Sequence, residues 1–162
     1  MIQKTQHYFY HLKTLWFILV MTFASFLLPI PTSFLPGGLQ KNPIEDEYLW
    51  IQIVDGIVIA PLLETALYQM FIFWILKLIP GMEKYNKSII FISAIIFGLS
   101  HNFSYIYMLY ACIMGLVFAY SYLIYTRKYE NGHTKFPPFW IVWCIHVLHN
   151  IVVFSIKNFL IL

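Results

Sequence analysis

Five apolar stretches, most of them about as long as a bilayer is thick, occupy nearly the whole of this sequence. They run from about Leu15 to Leu35, Tyr48 to Ile79, Ser88 to His101, Phe103 to Tyr125 and Pro138 to Leu160. A hydrocarbon core of roughly 30 Å takes about 20 helical residues to cross. Lipid offers no partner to backbone polar groups, so each crossing must close its hydrogen bonds internally, which selects helices. The expected fold is therefore all-α: a polytopic transmembrane bundle of about five spans, with residues 1–162 forming one integral membrane domain in the lipid bilayer.

Composition supports the same class. Hydrophobic residues are 60% and charged residues 10% of the chain, against roughly 45–50% and about 25% in soluble domains. The net charge of +3 is modest and its basic residues lie between apolar runs, so nucleic acid is not an expected partner. Cys112 and Cys144 sit within apolar runs and read as small hydrophobes. Lys4 and Lys13 ahead of the first run also fit a signal peptide, but no small-x-small cleavage site follows, and a retained span is expected. The Leu35-Pro36-Gly37-Gly38 stretch and the acidic Glu45-Asp46-Glu47 cluster mark a loop after it. Ala111, Gly115 and Ala119 form a small-residue stripe in the fourth run that suits close helix packing.

The basic residues also orient the bundle. Lys4, Lys13, Lys77, Lys84, Lys87, Arg127, Lys128 and Lys135 fall on one side of a five-span arrangement, and only Lys41 and Lys157 on the other. The excess marks the cytoplasmic side, giving N-in/C-out.

Against this background the polar residues inside the runs stand out, because ionisable groups are costly there and mark function by default. They are Asp55, Glu64, His101, His146 and His149, with Gln69 and Asn150 beside them. Asp55 lies near one end of its run and reads as a boundary residue, while His7, His11 and His133 fall in flanks or loops. At about 1.5 Å per residue, Glu64 lies about 20 Å from Lys77, His101 about 21 Å from Lys87 and Asn150 about 18 Å from Pro138. His146 comes out at about 12 Å. Three helices thus offer polar groups at a similar depth.

A carboxylate and an imidazole at one depth can share a water and take its proton. His146 and Asn150, i and i+4, lie about 40° apart on one helix face, and both can donate to a developing oxyanion. His149 stands about 60° to the other side of His146 and either points elsewhere or substitutes for it. Taken singly, an intramembrane His or Asn also serves as glue between helices. Glu64, His101 and His146 are alternatively a zinc set, since two His and a carboxylate recur in catalytic zinc sites, although no His-Glu-x-x-His helix is present. Buried Glu and His also build proton relays, but no transporter-like repeat is visible.

At these residues the chain resembles the CaaX-protease and bacteriocin-processing (CPBP) family of intramembrane glutamic proteases. Its three motifs, Glu-Glu-x-x-x-Arg, Phe-x-x-x-His and His-x-x-x-Asn, correspond to the segment around Glu64, to Phe97–His101 and to His146–Asn150. The likeness covers roughly Ile57 to Val152, leaving residues 1–47 as an additional N-terminal span and loop. Thr65 and Gln69 stand where the family usually has its second Glu and its Arg, which makes this a Glu-Thr…Gln variant. The resemblance implies a multi-pass protein of the bacterial inner membrane that hydrolyses a peptide or membrane-protein substrate. It assigns water activation to Glu64 and His101 and oxyanion binding to His146 and Asn150, with Thr65 and Gln69 in support. It implies no metal and no other cofactor, zinc being the alternative. The other reading is a non-catalytic protein of the same fold, an immunity factor or a scaffold. Thr65 and Gln69, i and i+4, are expected to hold a hydrogen bond along the helix.

Overall fold

The computed structural model describes residues 2–37 and 42–160. Gly38 and Lys41, which entered the loop and orientation readings, lie outside the described residues. All regular structure among the described residues is helical, as expected. A short helix α1 (Ile2–His11) precedes α2 (Thr14–Leu27), which is extended by a 3₁₀ turn at Ile30–Phe34. Then follow α3 (Leu49–Lys77), α4 (Asn86–Ser100), α5 (Tyr105–Glu130) and α6 (Pro138–Ser155), the last ending in a π turn at Ile156–Leu160. Among the described residues, four helices are long and apolar enough to cross a membrane: Thr14–Phe34, Leu49–Lys77, Tyr105–Glu130 and Pro138–Phe159. The fifth apolar helix, α4, has 15 residues and reaches about 22 Å, short of the hydrocarbon thickness.

Local chemistry accounts for several boundaries. Ser104 caps α5 by accepting the Tyr107 N–H at 3.1 Å. Pro138 opens α6, where its missing N–H costs nothing. After α3 the chain turns at Gly81, whose φ of 83° a side chain would strain.

Helix α3 is continuous, but it changes register. Gln52–Ile59 and Thr65–Phe71 are π-helical on either side of an α-helical turn at Ala60–Glu64. Its buried residues recur every fourth position: Ile57, Pro61, Thr65, Gln69 and Phe73. In an α-helix such residues drift about 40° per step. The wider π turns carry them the other way, so mixing the registers keeps this stripe on one side. Leu63, Leu67, Trp74 and Leu78 are exposed on the other faces. A surface of this kind is at home against lipid.

The core joins α2, α4, α5 and α6 through Phe17, Phe97, Phe118, Tyr125, Val142 and Ile145, all buried. The small-residue stripe lets α4 lie close on α5. A Cβ added to Gly115 would stand 3.0 Å from the Ala94 Cα, and one added to Gly98 would stand 2.8 Å from the Met108 carbonyl.

The two ends of the bundle differ in their polar contacts. At one end Lys77 lies 3.9 Å from Glu130, Tyr10 bonds His133 at 2.6 Å and Lys128 donates to the Leu12 carbonyl at 2.7 Å. At the other, Lys157 pairs with Glu45. Lys128, counted among the loop cations, is in fact buried and committed to a backbone carbonyl.

Candidate active site

Glu64 ends the α-helical turn of α3 and directs its carboxylate between two imidazoles. One oxygen stands 3.6 Å from His101 Nε2, and the other stands 3.5 Å from His146 Nε2. Three helices meet here, because His101 follows the last residue of α4 and His146 lies midway along α6. Both separations are longer than a direct hydrogen bond.

The protonation pattern of His101 follows from its other nitrogen. Nδ1 lies 2.8 Å from the Phe97 carbonyl, and a carbonyl only accepts, so Nδ1 carries the proton in the neutral ring. The Nε2 lone pair therefore faces Glu64. The ring also lies over Phe97, centroids 4.5 Å apart, and nearly parallel to Tyr107 at 6.0 Å. His146 is buried against Phe118, centroids 4.4 Å apart. Its Nδ1 finds no hydrogen-bond partner among the described residues, which leaves Nε2 as the nitrogen that meets Glu64.

Asn150 lies one turn beyond His146 on α6, and its side-chain amide donates to the Gly56 carbonyl of α3 at 2.7 Å. His149 turns toward α2 and α5, although it too reaches the wall of the cavity that Glu64 lines. Its Nδ1 bonds Ser25 of α2 at 2.8 Å, its Nε2 bonds Tyr110 of α5 at 3.0 Å, and its ring stacks on Phe26. Ser25 gives its own proton to the Thr22 carbonyl, so it accepts from His149 Nδ1 and Tyr110 donates to Nε2. Both ring nitrogens are spent on fastening α2 to α5 and α6, and His149 does not stand in for His146.

Such a buried, doubly bonded ring is costly to lose. His149→Ala strands the Tyr110 hydroxyl and opens a void beside Phe26. It is expected to cost on the order of 2–4 kcal/mol, measured as equilibrium unfolding in detergent. Unchanged stability would refute the tie.

Thr65 and Gln69 correct an expectation. Both are fully buried, but neither the Thr65 hydroxyl nor either amide atom of Gln69 has a hydrogen-bond partner among the described residues. The bond expected between them does not form. Thr65–Phe71 is π-helical, and that register offsets side chains four apart that an α-helix would stack. Asp55 lies in the first π turn of α3, exposed, and outside the lining of the cavity around Glu64.

A cavity of about 370 Å³ opens between α3, α4, α5 and α6, with Glu64, His101, His146 and Asn150 on its wall. Tyr68, Phe97, Ala111 and Met114 give it an apolar lining, and Asn42, Glu45, Gln52 and Lys157 line it toward the loop before α3. The sequence does not single out Asn42, Tyr107, Tyr110 or Ser25. A lone Ser or Tyr in an apolar run carries no signal of its own, and only the fold shows what it meets. Among the described residues, no three His, Cys, Asp or Glu side chains form a set able to hold a metal ion. The two imidazoles approach different oxygens of Glu64.

Searches of curated proteins and of solved structures returned no significant match. The family model described as type II CAAX prenyl endopeptidase Rce1-like matches residues 46–152. That range is well over half of the chain, and it takes in Glu64, His101, His146 and Asn150 while leaving out α1 and α2. The match agrees with the CPBP resemblance carried by the three short motifs, and this chain belongs to the Rce1-like family of type II CAAX prenyl endopeptidases.

Proposed function

We propose that the chain is an intramembrane endopeptidase that hydrolyses a peptide bond with water, using no metal. One observation carries this reading: a carboxylate on the wall of an apolar cavity, flanked by two imidazoles at 3.6 and 3.5 Å. Water seated over Glu64 and His101 gives one proton to the carboxylate as its oxygen attacks the scissile carbonyl. The His101 Nε2 lone pair accepts the water's other hydrogen and orients it. His146 Nε2–H and the second amide hydrogen of Asn150 donate to the oxyanion that forms. Glu64 then passes the proton to the leaving amine, and the bond breaks into a new carboxylic acid and a new amine. Asn150 is a good donor and a poor zinc ligand, which supports the metal-free form.

The family description points first to a prenylated C-terminal peptide as substrate. A leader peptide and a transmembrane segment are the other classes, and a bacterial inner membrane is the proposed location. Purified protein in detergent should cleave one of the three, place a single ¹⁸O from labelled water in the new carboxyl group, and keep its rate through exhaustive chelation. Activity lost on chelation and restored by zinc would overturn the metal-free mechanism. The second reading, a non-catalytic immunity factor or scaffold, draws on Thr65 and Gln69 standing where the family carries a Glu and an Arg. It would follow from the absence of product with all three classes.

A further inference from the structure

The hydrogen bond from Asn150 to Gly56 has its origin in the sequence of α3. In an α-helical register the Gly56 carbonyl would accept the N–H of Ala60. That N–H instead bonds the Asp55 carbonyl, five residues back. In the π register the donor to Gly56 would be residue 61. Residue 61 is proline and has no N–H. Either way the Gly56 carbonyl loses its helical donor, in a setting where an unmet backbone group is costly. The Asn150 amide meets it at 2.7 Å from the neighbouring helix.

We infer that Pro61 and Asn150 are a matched pair: the proline strips Gly56 of its helical donor, Asn150 supplies one from α6, and the tie holds α3 against α6 at the separation that Glu64 and His146 require. Asn150 stands one turn from His146 on α6, and Glu64 closes the turn on α3 that holds Pro61. A second, weaker tie runs from Trp143 Nε1 to the Val58 carbonyl at 3.4 Å. Trp143 and Asn150 thus bracket His146 along α6. Pro61 is in this sense a positioning residue, acting through a backbone carbonyl and an amide rather than on substrate. The tie itself is independent of the proposed chemistry, and only its effect on turnover rests on that reading.

The sequence makes the tie directly observable. Gly56-Ile57 is the only Gly-Ile pair in the chain, so labelling glycine carbonyls with ¹³C and isoleucine nitrogen with ¹⁵N isolates that one peptide group by NMR. In Asn150→Ala the Gly56 carbonyl resonance is expected to move upfield as its donor is lost. In the double variant Pro61→Ala/Asn150→Ala it should return toward the wild-type position, because alanine at position 61 restores a helical N–H. Turnover stays low in both variants, because alanine at position 61 does not replace the Asn150 hydrogen that the oxyanion needs, a loss of about 10²–10³ by itself. If Asn150→Ala fails to fold, recovery of folded protein on adding Pro61→Ala is the corresponding expected result. A Gly56 resonance unmoved by Asn150→Ala overturns the inference. So does a double variant whose Gly56 resonance stays where the single one's lies, or that folds no better where the single one does not fold. The NMR result stands whether or not the protein cleaves peptides, which separates failure of the tie from failure of the protease reading.

Discussion

Glu64→Gln is expected to lower peptide hydrolysis by about 10²–10⁴-fold, the usual worth of a positioned general base, while the bundle stays folded. Gln keeps the shape of Glu but offers no lone pair able to hold a proton at neutral pH. The His101 Nε2 lone pair remains, yet it would have to act alone on a water that the carboxylate no longer orients. The fold has little reason to suffer, because neither imidazole makes a short bond to Glu64. Removing a charge from a membrane interior also relieves a desolvation cost. Initial rates on the preferred peptide, together with an unfolding curve in detergent, test both halves. A Glu64→Gln protein retaining about a tenth or more of wild-type turnover would remove Glu64 as the base.

The largest effect on stability is expected from Gly98→Val, within the Phe97–His101 motif. A Cβ there would meet the Met108 carbonyl at 2.8 Å and the Cys112 backbone nitrogen at 2.9 Å, and would overlap the Cys112 sulfur. Two of these three obstacles are backbone atoms and cannot turn aside. Gly98→Ala must therefore push α4 off α5, at a cost of about 1–3 kcal/mol, and Gly98→Val should leave no folded protein. Trimming the sulfur with Cys112→Ala removes one obstacle only, so the pair Gly98→Ala/Cys112→Ala should regain part of the loss and not all of it. His101 follows Gly98 by three residues, and any displacement of α4 also draws its imidazole from Glu64. Wild-type unfolding of Gly98→Ala in detergent would mean that the α4–α5 spacing is soft.

Much of the architecture is legible along the chain because the bilayer imposes a one-dimensional ruler. Apolar length locates the helices near their observed starts, at Thr14, Leu49, Asn86, Tyr105 and Pro138. The ruler also has a limit. The helix ending before His101 falls short of a full crossing, and the fourth run continues as helix to Glu130, beyond its last apolar residue at Tyr125. Helical propensity does not stop where hydropathy does.

The cost of polar groups in lipid is enough to pick out Asp55, Glu64, Gln69, His101, His146, His149 and Asn150 along the chain, and three short motifs are enough to suggest its family. Rotation of each helix about its own axis is beyond such a reading. His146 and His149 are the same residue type, about 60° apart, and composition does not say which one turns to Glu64. Ser25, Phe26 and Tyr110 decide it by holding His149 from α2 and α5. The π turns of α3 are equally hidden, since they arise from how the helix packs and where Pro61 interrupts its ladder. They part Thr65 from Gln69 and hand the Gly56 carbonyl to Asn150. What this sequence determined by itself is which segments are helices and which of their side chains are too polar for lipid, because both follow from the energetics of single residues in a bilayer. Which of those side chains meet was left to the tertiary structure, because helix rotation and register are set by neighbours distant in the chain.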